Sequence, residues 1–334
     1  MANRFVVVNV WGGEVLGSLC DTPLYRGFDP AMPALQHVDY HCVVLGSDGP
    51  LARASLWWRN VPPMIGERLG VIGHYTALDD AAAQMLLTHV LLELRRQDCT
   101  LAVGPMDGNT WRRYRFVTDA GSEKPFLLEP ENPPSFPAQW SEAGFKPLAQ
   151  YSSALTTDLT QRDDRVPRTQ LRMQGAGVRL RMLDSDHFEQ DLQAIYAVSE
   201  QSFQNNFLYT PLPQKEFLQQ YRKLQPMLRP ELVWIAEVAG APVGYAFGLP
   251  DLSQAQRGEP VDTVIIKTVA VLPARSYAGL GAVLVAQVQA AALDLGFNRA
   301  IHALMHESNN SRNLSSVYAS PMRGYTLYGH KLAP

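Results

Sequence analysis

Hydrophobic and polar positions divide this 334-residue chain into short β-branched or alternating runs and longer stretches with helical spacing. The clearest succession is in the C-terminal half. Val178–Leu183 alternates like a strand. A helix is predicted from Asp186 to about Gln204, with Phe188, Leu192, Ile195, Tyr196 and Val198 roughly at helical spacing and Asp184, Ser185 and Asp186 as capping groups. A second helix follows Pro213 and carries Phe217, Leu218 and Tyr221. Leu232–Val238 and Val243–Leu249 flank Gly240 and read as a hairpin. A β-branched run from Thr263 then ends at Pro273, Gly279 and Gly281 follow, and apolar positions continue to Leu295. Arg299–Met305 is another strand, a short helix ends near Tyr318, and Gly324–Lys331 is the last strand. The predicted order is β-α-α-β-β-β-α-β-α-β.

The N-terminal half repeats that rhythm less clearly. Tyr40–Leu45, Ala52–Trp58 and Arg68–Tyr75 read as strands, Asp80–Gln97 as a helix with Asp79 and Asp80 at its start, and Thr100–Pro105 as a strand. Phe136–Phe145 followed by Leu148–Leu155 gives a short helix, a turn and a final strand. Between the halves, Thr156–Gln170 is polar, lacks large apolar residues and reads as a linker. The division is therefore 1–160, a linker at 161–176, and 177–334.

The strand–glycine turn–helix at 263–295 aims backbone N–H groups and a helix N-terminus at one point, which suits a phosphate or pyrophosphate. No Gly-Lys-Ser/Thr follows, which excludes a Walker loop. The third glycine and the later acidic residue of a dinucleotide fingerprint are missing. From the glycines alone, a plain tight turn and an anion site are both open.

The detailed spacing narrows this. Val269-Ala-Val271-Leu-Pro273, five intervening residues, then Gly279-Leu-Gly281 resembles motif A of the GCN5-related N-acetyltransferases (GNAT), an apolar strand, x-Pro, then Arg/Gln-x-x-Gly-x-Gly/Ala. Ser276 departs from it, standing where that family prefers Arg or Gln; Arg275 is one residue earlier. The element order from about Gly177 to the C-terminus agrees. The resemblance implies an α/β fold with an α+β mixed sheet, arranged as two tandem GNAT-like domains. Each would have a mixed, mostly antiparallel central sheet flanked by helices.

The same resemblance implies an acetyl-CoA-dependent N-acetyltransferase in which an amine attacks the thioester directly, with acetyl-CoA as cosubstrate. Its pyrophosphate would meet the turn of Arg275, Ser276, Tyr277, Ala278, Gly279, Leu280, Gly281 and Ala282. Its pantetheine would pair with the strand at Val269 and Val271. Asn310 and Ser311, beside Asn309, either touch the pantetheine or cap a helix. Tyr318 is the candidate for protonating the thiolate, with Tyr325 and then Tyr328 as backups; packing roles are open for each. For a base, Glu200, Glu237, His302 and His306 are candidates. In the N-terminal half, Asp79 and Asp80 stand where the glycine turn should be. Their charge would repel a pyrophosphate, so that half is expected to be a degenerate copy that does not bind CoA.

Composition excludes more than it adds. The net charge is −3, which with no basic face argues against nucleic acid as a partner, although Trp111-Arg-Arg-Tyr-Arg-Phe116 is locally basic and aromatic. That run reads as a solvated face or an interdomain contact. Cys20, Cys42 and Cys99 have no metal spacing, no metal is expected, and reduced thiols point to the cytoplasm. No apolar run is expected to reach membrane-spanning length. The expected partner is a small-molecule or peptide amine acceptor, and the expected assembly a monomer or homodimer. Loops 205–213 and 132–137 are expected to shape the acceptor pocket. A non-catalytic acyl-CoA sensor and a tandem aminoacyl transferase are the competing functions.

Overall fold

A computed structural model describes residues 6–9, 19, 21–161, 163–308 and 319–332. Its centre is one mixed, mostly antiparallel sheet of 13 strands with helices on its faces. The first half supplies β1 (Val6–Asn9), β2 (Tyr40–Gly46), β3 (Gly49–Trp57), β4 (Leu69–Ala77), helix α1 (Asp80–Arg96), β5 (Leu101–Gly104), β6 (Phe116–Asp119), α2 (Ser135–Glu142) and β7 (Lys146–Thr156). Helix α3 (Arg165–Gly175) follows, within the stretch read as a linker. The second half supplies β8 (Val178–Met182), α4 (Phe188–Phe203), α5 (Gln214–Arg222), β9 (Val233–Val238), β10 (Ala241–Pro250), β11 (Thr263–Val271), α6 (Leu280–Asp294), β12 (Arg299–His306) and β13 (Ser320–Lys331).

The two halves share a plan. β3 and β4 are antiparallel, α1 crosses over, and β5 returns parallel to β4. Likewise β10 and β11 are antiparallel, α6 crosses over, and β12 returns parallel to β11. These are the only parallel pairings among the described strands. Their last strands are exchanged: β7 lies against β12 of the second half, and β13 against β5 of the first, while β7 and β13 pair with each other. Each half thus completes its sheet with a strand from the other, so surfaces from both meet at the sheet centre.

Helix α6 explains why its stretch is apolar all round. Leu280, Val283, Leu284, Val285, Val288 and Ala292 are buried against β10 and β11. Each buried Val or Leu contributes about 1.5–3 kcal/mol, so the helix is fixed by packing and its N-terminus is held at the end of β11. Residues 275–294 are long and apolar enough to cross a membrane by length and composition, which corrects the expectation that no run is. Here that stretch covers the sheet. Helix α3 packs on α6, burying Val166 and Met173.

Candidate functional site

The site begins where β11 and β12 part. Their pairing runs from Thr263–Arg299 to Ile266–His302 and stops, yet β11 continues to Val271 and β12 to His306. β11 keeps its antiparallel partner β10 on the other edge, with an irregularity opposite Lys267. The edge of β11 that faces the gap therefore has no strand partner beyond Ile266 among the described residues. β12 also bulges. Leu304 has φ +58°, and its N–H donates to Ser153 Oγ at 3.0 Å.

At the top of this gap β11 runs into the glycine turn. Arg275–Tyr277 form one 3-10 turn, Ala278 follows, and Gly279 takes φ +86°, a left-handed conformation that strains any L side chain. Gly279 is the N-cap of α6, and among the described residues no side chain caps the helix. The first amides of a helix have no acceptor within it. With Arg275, Ser276, Ala278 and Gly279 exposed and Gly281 half-buried, the Gly281 amide is open to a ligand anion, whereas Leu280 is buried. Tyr277 and Ala282 are partly covered. Val269 lines the cavity described next, and Val271 pairs with Gly244.

The linker helix touches this turn. Arg172 donates to Ser276 O at 3.3 Å and also to Ala278 O. A Cβ at Gly279 would lie 3.0 Å from Thr169 Cγ2. Nothing in the sequence of that polar segment marks it as a neighbour of the glycines 100 residues on.

Below the gap opens a cavity of about 720 Å³. One wall is β11 and β12, from Ile265 to Val269 and from His302 to His306. The opposite wall comes from the first half, residues 110–115 and 126–131, and from Phe203, Asn206, Phe207 and Tyr209. Trp111 fastens the two halves. Its indole N–H donates to Thr210 O at 2.7 Å, and its ring meets Phe203, Tyr209 and Phe217 edge-on. Loop 205–213 thus contributes to the lining. Loop 132–137 does not; Asn132 is bonded to the backbone of Val117 and Phe136 is buried in the core of the first half. The neighbouring segment 126–131 takes that place.

Two histidines of β12 line the cavity, as the alternation of that strand allows. His302 is buried against Gln289, and burial pushes its pKa down to about 4. His306 lies between the rings of Tyr151 and Phe207. The Ser308 N–H donates to its Nδ1 at 3.1 Å, so the lone pair is there and the ring proton is on Nε2. That Nε2 is buried without a hydrogen-bond partner among the described residues, and burial lowers the pKa. His306 is therefore a neutral hydrogen-bond donor rather than a ready base.

The other candidates are placed elsewhere. Tyr325 does not line the cavity. It is buried on β13, where its hydroxyl meets Ser153 Oγ at 2.9 Å and donates to Glu129; burial beside Glu129 raises its pKa. That hydroxyl is tied up in the wall and is not kept as an acid. Tyr328 packs with Phe116 and Trp140. Glu237 pairs with Arg181 on an outer strand, and Glu200 is exposed beside Tyr196, so neither faces the gap. Asn309, Asn310, Ser311 and Tyr318 lie outside the described residues. The sequence did not point to Glu129, which enters the lining beside Leu128 (φ +66°). Burial raises its carboxyl pKa, while Arg323 at 2.6 Å, Tyr325 and the Phe126 N–H hold it.

The equivalent gap in the first half is closed. After Val71–Val103 the chain itself fills it: Met106 N–H donates to Ile72 O at 2.8 Å, and the His74 N–H donates to Asp107 Oδ1 at 2.7 Å. A Cβ at Gly73 would lie 2.2 Å from Met106 O. The N-terminus of α1 is capped by Asp79, whose carboxylate accepts from Ala82 N–H at 2.8 Å, and Asp80 accepts from Gln139 at 2.9 Å.

Known proteins agree with the geometry of the second half. Residues 192–315 match the Acetyltransferase (GNAT) family. The bacterial ceramide synthase of Caulobacter vibrioides is 25% identical over 197 residues, 58% of this chain and 50% of that protein. Protein YghO of Escherichia coli is 22% identical over 196 residues, 57% of this chain and 49% of that one. The chain thus spans about half the length of the curated relatives it matches. Among solved structures, a tandem GNAT protein from the clavulanic acid biosynthesis pathway aligns over 99% of both chains with a TM-score of 0.50 at 12% identity, a likeness of fold. The matched segment includes β11, the Gly279 turn, α6 and β12, so the part of the chain that resembles the GNAT acetyltransferase family is the part that holds the open turn.

Proposed function

We propose that this chain transfers an acyl group from an acyl-CoA thioester to an amine, with acetyl-CoA as the expected donor. The observation that carries this is the junction of two open features: β11 loses its partner after Ile266, and the helix it leads into has no side-chain cap. An amide-rich pantetheine arm suits the free edge of β11, and a pyrophosphate suits the amides after Gly279. The thioester would then lie between β11 and β12, at the mouth of the cavity. The amine attacks the carbonyl carbon, the C–S bond breaks, the amine loses a proton and the departing thiolate gains one. The Nε2–H of His306 is a donor on that wall for charge developing on oxygen. We also infer that the first half is a second copy of the fold that binds no CoA and serves as the acceptor-side wall.

The test is titration calorimetry with acetyl-CoA, followed by detection of free thiol over an amine panel. Tight binding with amine-dependent thiol release is expected. Absence of binding sinks the proposal, and binding with no turnover on any amine turns it into a sensor. Because one relative is named a ceramide synthase and the cavity reaches about 720 Å³, long-chain acyl-CoA donors belong in the same panel.

A further inference from the structure

Arg115 is a buried cation with no carboxylate partner among the described residues. Its side chain lines the cavity and is 6% exposed. The guanidinium lies over the rings of Tyr114 at 4.1 Å and Tyr151 at 4.3 Å, with Tyr325 at 5.7 Å, and it makes one hydrogen bond, to Tyr114 Oη at 2.8 Å. Its Nε is buried and has no acceptor among the described residues. Nor does it form an ion pair with any of them. Residues 309–318, beyond β12, contain no Asp or Glu. The backbone at Arg115 is itself in the left-handed region, φ +66°, fixed by a bond from its N–H to Pro105 O at 2.8 Å.

This arrangement is costly. Moving an unpaired guanidinium out of water costs several kcal/mol, and aromatic faces return only part of that. The other charges on the lining do not neutralise it. Glu129 is held by Arg323 and Tyr325, Arg112 is paired with Glu216 at 3.4 Å, and Arg113 and Glu131 are exposed. A buried polar group left unpaired at a cavity calls for a ligand that pairs it. Arginine is suited to a carboxylate or phosphate through its fork of donors. Tyr151 lies on β7 and Tyr325 on β13, two and three strands from β11 in the sheet. At about 4.8 Å per strand, and with β11 and β12 parted at the level of His306 and Tyr151, Arg115 stands more than about 10 Å from the donor strand.

Resting on the acyl-transfer reading above, we propose that the substrate bound at the far end of the cavity carries an anionic group, a carboxylate or phosphate, that docks on Arg115. The group belongs either to the acceptor, as in an amino acid whose amine and carboxylate lie several bonds apart, or to the acyl chain. The experiment separates these sources. One arm supplies acetyl-CoA with β-alanine, 4-aminobutyrate and 6-aminohexanoate, each against the alkylamine lacking the carboxylate. The other supplies succinyl-CoA against butyryl-CoA with a neutral amine.

In one arm, the anionic member should exceed its neutral match by roughly 10- to 100-fold in kcat/KM, the range for a hydrogen bond to a charged group. The preference should collapse in Arg115→Gln and survive in part in Arg115→Lys. Equal use of anionic and neutral members in both arms, or a preference that persists in Arg115→Gln, overturns the proposal. Direct binding of hexanoate to the wild-type protein, measured by calorimetry against hexanol, needs neither turnover nor a folded variant. Selective hexanoate binding supports the anion site even if no acyl transfer occurs, and its absence overturns the site.

Discussion

The N-termini of α1 and α6 occupy the same place in the plan of their halves and have opposite endings. Both follow the strand that pairs with a parallel neighbour across the crossover. At α1 the chain supplies its own anion, with Asp79 accepting from Ala82 N–H, and Met106 and Asp107 fill the gap between β4 and β5. At α6 the cap is Gly279 without a side chain, and the gap between β11 and β12 opens into the cavity. An orphan helix amide must find an acceptor, from its own chain, from water or from a ligand. On one backbone plan, the end of α1 takes the first option, and the end of α6 leaves the choice between water and a ligand open.

The largest expected effect comes from giving the open end the chemistry of the closed one. Gly279→Asp places a side chain at φ +86°, puts a Cβ 3.0 Å from Thr169 Cγ2, and sets a carboxylate on the amides after the turn. CoA affinity should fall by at least about 100-fold, the equivalent of losing roughly two charge-assisted hydrogen bonds. Calorimetry with CoA checks this, with the circular dichroism melt as the control for folding. Retained affinity would place the pyrophosphate elsewhere and remove the basis for contrasting the two ends.

The closed end carries a buried polar chain that makes it sensitive to acid. Tyr25 Oη meets His41 Nε2 at 2.8 Å, His41 Nδ1 meets Ser55 Oγ at 2.7 Å, and Ser55 Oγ meets His74 Nδ1 at 2.9 Å. His74 Nε2 is 3.8 Å from Asp107, the residue that plugs the gap. Burial, with Arg53 next, pushes both histidines down to about 3, and Arg112 and Arg113 add to this at His74. Unfolded histidines take up protons from about pH 6.5, while the folded ones stay neutral, so the unfolded state binds more protons between pH 6.5 and 3. Stability is full above that window and is lost as pH falls through it. Asp107, whose carboxyl pKa burial raises, opposes this trend at the acid end.

From pH 7 to 5.5 the histidine pair should remove about 2–3 kcal/mol, read from urea midpoints. Hydrogen exchange at pH 5.5 should open β3 and β4 before β10 and β11. A midpoint that does not move over that range, or exchange that opens both halves together, breaks the contrast.

A smaller effect tests whether the cap alone closes the first half. Asp79→Ala should cost about 1 kcal/mol, visible as a modest drop in melting temperature. It should not create a CoA site, because Met106 and Asp107 still occupy the gap. A second equivalent of CoA bound by this variant would show that capping alone separates the halves.

Much of this contrast was legible in the sequence, and the reasons for the rest are physical. The glycine turn, the paired aspartates and nearly every strand could be read because each depends on local spacing. The exchange of β7 and β13 could not, since strand periodicity specifies which residues face the core and not which strand lies alongside. Helix α3 looks like plain linker in sequence because its polar residues leave just Val166 and Met173 to bury. Arg115 was visible as a member of a basic, aromatic run. Its burial depends on Tyr151 and Tyr325, which come from two distant strands.

The smallest effect concerns Ser276, the departure from the family pattern in the turn. If backbone amides bind the pyrophosphate, the side chain at 276 matters little. It is exposed, its carbonyl already accepts from Arg172 at 3.3 Å, and an exposed ion pair is worth about 0.2–1 kcal/mol. Ser276→Arg should therefore tighten CoA by less than about fivefold at physiological salt, and the gain should fade as salt is raised. Titrations of both proteins at two salt concentrations measure it. A gain well beyond tenfold that persists in high salt would mean that side chains rather than the uncapped amides carry the anion. The contrast between the two helix ends would then rest on residue 276 and Arg172, and Asp79 would be a helix cap with no bearing on ligand choice.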